Sequence, residues 1–394
     1  ERIQTIDALR GFALFGILVV NMAAFRAPVF DETGLDAGVL DRVVTWLIAF
    51  GFEQKFYVLF SFLFGYGLSV QMFRAAERGS PLVPRFLRRL LGLLLIGLAH
   101  AVLLYTGDIL VTYALLGVVL LLMRNVSSRV LLLLAAGLVL LSALAFALSG
   151  TVFATGDNAA FEAELRAESE RSVEAYRGTP AAAISERIRT YPGTLGFALV
   201  GQGPTALAMF LVGLWAGRRR LFERVEDHLP LLRRALVVGL VVGVAGALVW
   251  ASERAVSGFA FDEGFFLAAS VDFLTAPFLT AAYVVAITFL YRSPGWRRRL
   301  AFLVPVGRAA LSNYLFQSLV AALIFTGYGL GLYGRVDAGL GLLLSFAIFA
   351  AQIPLSAWWM SRFAFGPAEW VLRSFTYARL QPIRVRLKVP QTPP

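Results

Sequence analysis

The feature that most constrains this chain is a succession of long apolar runs separated by short clusters of arginine. A bilayer core about 30 Å thick needs roughly 20 apolar residues per helix. That filter picks out ten runs, near residues 6–27, 56–73, 85–104, 108–123, 129–150, 194–217, 233–251, 265–291, 302–326 and 339–361. With 58% of its 394 residues hydrophobic and 15% charged, the chain lies outside the range of ordinary soluble domains. The expected fold is all-α, a polytopic integral membrane bundle of about ten transmembrane helices. Two five-helix halves, 1–150 and 193–362, flank a polar segment at 151–192, and residues 363–394 form an interfacial helix and basic tail.

Loop charge tests the count, because short cytoplasmic loops carry the Lys/Arg excess. Residues 28–42 hold Asp31, Glu32, Asp36 and Asp41 against Arg42, and read as outside. The next loop holds Arg74, Arg78, Arg85, Arg88 and Arg89 against Glu77, and reads as inside. Arg124 and Arg129, then Arg218, Arg219, Arg220, Arg224, Arg233 and Arg234, then Arg292, Arg297, Arg298 and Arg299 mark later inside turns, and the tail adds Arg373, Arg379, Arg384, Arg386 and Lys388. Every second loop is basic, so both termini are expected in the cytoplasm. The first run is read as a retained helix, since Asp7 and Arg10 sit in its start and no small-residue cleavage site precedes Pro28. Residues 43–52 read as an interfacial or re-entrant piece, and 151–192 as an external helical lid or a linker. Phe365 to Tyr377, with Glu369 four residues before Arg373, reads as an interfacial helix.

Several chemistries are excluded or lack support. The chain has no cysteine, which removes disulfides, thiolate metal sites and cysteine nucleophiles. Its two histidines, His100 near the outer face and His228 in a solvated inside loop, do not form a conventional metal site. The net charge of +11 is spread between apolar runs, so it points to topology and anionic membrane lipids rather than to nucleic acid. Gly327, Gly329 and Gly331 follow a span rather than a strand and read as an external turn. No internal repeat is visible, which disfavours the inverted-repeat transporters.

Ionisable groups inside spans are costly and mark candidate functional positions. Asp7, Arg10, Leu14, Ile17 and Asn21 share one helical stripe, with Asn21 about 16 Å farther out than Arg10. His100, Asp108, Glu53 and Lys55 fall at the outer level. Gln202, Asp272 and Gln317 fall within about 15 Å of the same surface, and Asn313 is a further polar group within a span. Asp7 with Arg10 is equally readable as an ion pair at a helix start. Asn21, Gln202 and Gln317 are readable as interhelical hydrogen-bond glue, and His100 with Asp108 as a pin between two helices. Asp272 suits packing specificity as well as chemistry.

Several stretches carry a resemblance. Ile6-Asp7-Ala8-Leu9-Arg10-Gly11 through Ile17 with Asn21, Lys55-Phe56 with Leu59 to Gly65, and His100 with Gly107-Asp108-Ile109-Leu110 and Tyr113 resemble the bacterial YeiB family. So do Gly307-Arg308, Asn313-Tyr314, Gln317-Ser318, Phe365-Gly366-Pro367, Glu369-Trp370, Arg373 and Thr376-Tyr377. The match spans nearly the whole chain except 151–192. The opening motif is also similar to that of transmembrane acyltransferases of the heparan glucosaminide N-acetyltransferase group, in which Asp, Arg-Gly and a later Asn match Asp7, Arg10, Gly11 and Asn21. That group's catalytic histidine follows the Asn, and no histidine lies between Asn21 and Lys55 here. The resemblance implies an acyltransferase in the bacterial inner membrane that moves an acyl group from cytosolic acyl-CoA to an envelope glycan or lipid. Asp7, Arg10 and Arg308 are the expected donor-binding residues, with arginine forks suited to CoA phosphates. At the outer layer His100 is the expected base, oriented by Asp108, with Asn21 or Lys55 as oxyanion partners and Glu53 beside them. The rivals are a transporter of a small polar or lipidic solute, and a non-catalytic subunit that needs a protein partner in the membrane.

Overall fold

The computed structural model describes residues 3–28, 38–156, 158–257 and 261–384. Asp31, Glu32, Asp36, Arg386 and Lys388, which the charge argument used, lie outside that set. Among the described residues there are sixteen α-helices. In chain order they are α1 (Gln4–Arg26), α2 (Val39–Gly51), α3 (Lys55–Glu77), α4 (Leu82–Leu103), α5 (Leu110–Leu122), α6 (Ser128–Thr155), α7 (Ala159–Arg177) and α8 (Pro180–Phe197). They continue with α9 (Gly203–Arg218), α10 (Leu229–Ser257), α11 (Glu263–Arg292), α12 (Pro294–Arg299), α13 (Leu303–Arg308), α14 (Ala310–Phe325), α15 (Ala338–Arg362) and α16 (Pro367–Tyr377). Eight helical stretches are long and apolar enough to cross a membrane, and two shorter apolar helices, Leu110–Asn125 and Ala310–Phe325, lie where the sequence predicts its fourth and ninth spans.

α1 is the central helix, buried along most of its length and packed by α3, α11, α13, α14 and α15. Its crossing with α13 is close enough to require glycine on both sides. A Cβ at Gly11 would lie 2.3 Å from the Leu303 carbonyl oxygen, and one at Gly307 would lie 1.8 Å from that of Asp7. Small residues let helix backbones meet where lipid offers no hydrophobic drive. α6 and α10 are peripheral and turn leucines and valines such as Leu133, Leu148 and Val241 outward, as a lipid-facing surface requires.

The arginine-rich turns meet at one end. Arg218, at the end of α9, donates to the Val126 carbonyl at 2.6 Å. Arg292, at the end of α11, pairs with Glu226 at 2.7 Å, and Arg85 of α4 lies over the Tyr377 ring of α16. At the opposite end α7 and α8 form a cap. The Gly327 amide donates to the Tyr176 carbonyl at 2.7 Å, and Arg187 donates to the Leu103 carbonyl at 3.0 Å.

Two helices differ from the sequence expectation. The span expected to start near 194 belongs to one continuous helical stretch, Pro180–Arg218, of 39 residues, about 58 Å long at 1.5 Å per residue. It holds a single π turn at Ala198–Gln202, so the expected boundary at 192/193 falls inside a helix. The span expected at 302–326 is broken at Ala309 into α13 and α14. The amides of Leu311 and Ser312 at the start of α14 donate to Glu369 Oε1 at 2.6 and 3.3 Å. A carboxylate thus satisfies donors that the break leaves without helical partners.

Candidate functional site

A cavity of about 1160 Å3 lies beneath the cap. Its walls come from α1, the α2–α3 turn, α5, α7, α8, the π turn, α10, α11 and α14. Asn21, Glu53, Asp108 and Gln202 all border it, so four polar positions expected at one depth also converge in plane. The floor is aromatic. Phe52 and Phe56 close it, with Phe56 5.1 Å from Phe12 and Phe15 5.9 Å from Phe52 between ring centroids.

His100 and Asp108 are joined by the tight turn through Tyr105, Thr106 and Gly107. His100 Nδ1 lies 2.7 Å from Asp108 Oδ2, and Nε2 lies 2.8 Å from Ser318 Oγ of α14. Asp108 Oδ1 accepts the Val111 amide at 2.9 Å, which ties it to the start of α5. With Asp108 Oδ2 accepting from Nδ1–H, the neutral ring leaves Nε2 to accept from the Ser318 hydroxyl. The order differs from the sequence expectation: Asp108 borders the cavity, while His100 stands behind it with both ring nitrogens engaged. Above the pair, burial pushes the Tyr105 hydroxyl well above the ordinary phenol range, and the Asp108 charge adds to that. Tyr105 therefore remains a proton donor at neutral pH.

Lys55 does not border the cavity. Its ammonium is fully buried and donates to Asp272 Oδ1 at 2.8 Å and to the Ala49 carbonyl at 3.1 Å. It clamps the α2–α3 turn to α11, which removes it from reach of an oxyanion in the cavity. Glu53 accepts from Trp250 Nε1 at 2.8 Å and lies 3.7 Å from Arg254 Nε. Gln317 donates to Gln352 at 2.8 Å, Gln352 donates to the Asn313 carbonyl at 3.0 Å, and Asn313 donates to Ser356 at 2.9 Å. These amides knit α14 to α15 away from the cavity, which is the hydrogen-bond-glue reading.

At the arginine-rich end Asp7 and Arg10 form the i,i+3 pair at 3.3 Å, with the Arg10 side chain 34% exposed. The Gly11–Gly307 crossing carries Arg10 and Arg308 on adjacent helices. Arg89 and Arg373 join them, for Arg89 is within electrostatic reach of Arg10, Arg373 and Glu369. The cavity stops on α1 at Ile17, about 10 Å short of Arg10. The continuous tunnel that the donor hypothesis expects is therefore closed by the aromatic floor.

Sequence reasoning missed Ser318, Tyr57 and Thr112. Tyr57 and Thr112 border the cavity, but their hydroxyl oxygens are buried and shut off from it, that of Tyr57 beside the Thr205 hydroxyl. Thr112 lies four residues after Asp108, so helical spacing along the start of α5 pointed to it. Ser318 comes from 218 positions away from His100, and no local pattern encodes that. Among the described residues no group of three or more histidine, aspartate or glutamate side chains gathers to hold a metal ion.

The comparisons with known proteins place this arrangement in a family. Residues 216–379 match the family described as "Protein of unknown function (DUF418)". The chain is 35% identical to the "Uncharacterized protein YxaH" of Bacillus subtilis (strain 168), over 99% of this chain and 98% of that protein. It is 28% identical to the "Uncharacterized protein YeiB" of Escherichia coli (strain K12), over 95% of this chain and 96% of that one. Similarity at 35% identity over nearly the full length of both chains shows the family, and the chain belongs to the YeiB/DUF418 family of uncharacterised multipass bacterial membrane proteins.

Proposed function

We propose that this protein is an integral membrane acyltransferase of the bacterial inner membrane, with ten spans and both termini inside, which moves an acyl group from cytosolic acyl-CoA to an envelope acceptor. The observation that carries the reading is Asp108 in the wall of a cavity large enough for an acceptor, with His100 hydrogen-bonded to it from behind. The acceptor hydroxyl or amine gives its proton to the pair as its oxygen or nitrogen attacks the thioester carbonyl. The C–S bond then breaks, the pair returns the proton to the departing sulfur, and CoA leaves as the free thiol. The Asn21 amide, which borders the cavity, supplies a donor for the developing oxyanion. Ser318 fixes the imidazole from behind. The donor's phosphates sit among Arg10, Arg308, Arg89 and Arg373, and the layer of Phe12 and Phe56 parts to admit the thioester.

A second reading, a transporter of a small polar or lipidic solute, draws on the same cavity, whose lining is part polar and part apolar. Titration of CoA onto the purified protein in nanodiscs separates the two. The transferase reading expects binding that Arg10→Ala weakens at least tenfold while the fold is kept. No CoA binding by the wild type, with solute uptake into proteoliposomes, favours the transporter. Unchanged binding in a folded Arg10→Ala protein removes Arg10 from the donor site.

A further inference from the structure

The cavity lining has two chemical characters. One is polar, with Asn21, Glu53, Gln54, Asp108, Thr112 and Arg254. The other is an aromatic wall of Phe146, Phe197, Phe265, Phe266 and Phe273. A small sugar would leave that wall wetted, and a plain hydrocarbon would strip water from the polar side chains of the lining without replacing its hydrogen bonds. Only a molecule with both characters satisfies the lining as a whole.

The charge balance narrows the head group. Among the described residues that line the cavity, four arginines (Arg26, Arg42, Arg187 and Arg254) face five carboxylates, Glu53 and Asp108 among them. That balance does not select an anion such as a lipid phosphate. Hydroxyls and amides beside tyrosine and tryptophan rings suit a neutral, polyhydroxylated head.

A way in from the side lies next to the aromatic wall. The 180–218 helix widens into its π turn at Ala198–Gln202, a local distortion frequent at functional sites. Just before it, Phe197 borders the cavity and is also 53% exposed. A Cβ at Gly193, another lining residue, would meet nothing within 4 Å. α8 packs on α4 and α7, whereas α6 packs on α9 and α11. α6 meets the π turn more closely than it meets α8, and the line between α6 and α8 beyond that turn is the seam at which Phe197 both borders the cavity and is exposed. Phe197 lies 21 residues from Arg218, or about 32 Å, which is the far boundary of a bilayer core that begins at the arginine-rich end.

We infer that the cavity takes a neutral glycolipid, a saccharide head on a hydrocarbon tail, which enters from the bilayer through the seam beside the π turn. The head lies against Asp108, and the tail passes along the aromatic wall and out past Phe197. This names the acceptor class of the proposed transferase and rests on that reading only for the word acceptor, since binding needs no acyl donor.

The test is photocrosslinking in nanodiscs with a glucosyl diacylglycerol that carries a diazirine in its tail, against a phosphatidylcholine with the same tail. The glucosyl probe is expected to label segments 193–202 and 261–273 at least tenfold more than the phosphatidylcholine probe does. An excess of unlabelled dodecyl glucoside should remove that label from the wild type. Gly193→Trp, built into open space, should lower the labelling at least tenfold. Gly137→Trp on exposed α6, where a Cβ also meets nothing, should not. Equal labelling by both probes makes the seam an ordinary lipid groove and overturns the inference, as does competition by free glucose as strong as by the alkyl glucoside. Specific labelling without acyl transfer would sink the transferase reading alone. Transfer to soluble sugars without labelling would sink this inference alone.

Discussion

Replacing Lys55 with methionine should cost far more than the loss of one surface contact. The ammonium and Asp272 meet at 2.8 Å with side chains 0% and 1% exposed, inside the bundle, so neither charge has water to fall back on. Removing one member of such a pair leaves the other charge buried and uncompensated, a cost of about 3–5 kcal/mol. That is a hundredfold or more in the folded-to-unfolded ratio. Removing both, as Lys55→Met with Asp272→Leu, eliminates the charges together. What remains is the Ala49 carbonyl without its donor, about 1–2 kcal/mol. SDS titration of the protein in mixed micelles, followed by tryptophan fluorescence, gives the four corners of the cycle. The expected coupling exceeds about 2 kcal/mol, with the double variant more stable than Lys55→Met. A Lys55→Met protein that unfolds within about 0.5 kcal/mol of wild type, or strictly additive effects, would refute the reasoning.

Other expectations follow from single contacts. Gly307→Leu drives a Cβ into the Asp7 carbonyl oxygen, backbone that has little room to shift. It should cost more than about 3 kcal/mol and remove the monodisperse peak in size-exclusion chromatography; a normal peak would disprove the tight α1–α13 crossing. Burial raises the Glu369 carboxyl above its ordinary value, against the lowering by the Ser312 hydroxyl and the α14 amides. A raised carboxyl favours the protonated native state, so this contribution to stability is present below the ordinary carboxylate range and is lost as pH rises through the folded value. Glu369→Gln should flatten that part of the unfolding profile, and an unchanged slope would contradict it. A tag at residue 165 should report outside and one past residue 390, beyond the described residues, inside; the same side for both would end the ten-span, both-termini-inside proposal.

The elements that depend on local pattern were legible in the sequence, and those that depend on distant partners were not. Apolar runs located the long apolar helices, eight of which, among the described residues, are long enough to cross a membrane, because bilayer thickness acts on consecutive residues. The His100–Asp108 contact was legible because eight residues and a tight turn separate its members. Lys55–Asp272 and His100–Ser318 span 217 and 218 positions, and nothing along the chain records which helix faces which. The continuity of 180–218 was hidden by its own polarity. Its first half carries Glu186, Arg187 and Arg189 and the helix-disfavouring Pro192, so it read as part of an external segment, although Arg187 and Glu186 are buried against the cap and α4. The break at Ala309 was hidden for the opposite reason, because the apolar run continues through it while the Gly11–Gly307 contact decides the geometry.

Acyl transfer at the Asp108–His100 pair is tested most directly by incubating nanodisc-held protein with labelled acetyl-CoA and an envelope lipid and glycan extract, then counting label in the acceptor fraction. Wild type should transfer label, and His100→Gln and Asp108→Asn should each lose about 10²–10⁴ in rate with unfolding midpoints close to wild type. Absence of transfer by the wild type, or transfer at the wild-type rate by a folded His100→Gln protein, would contradict it.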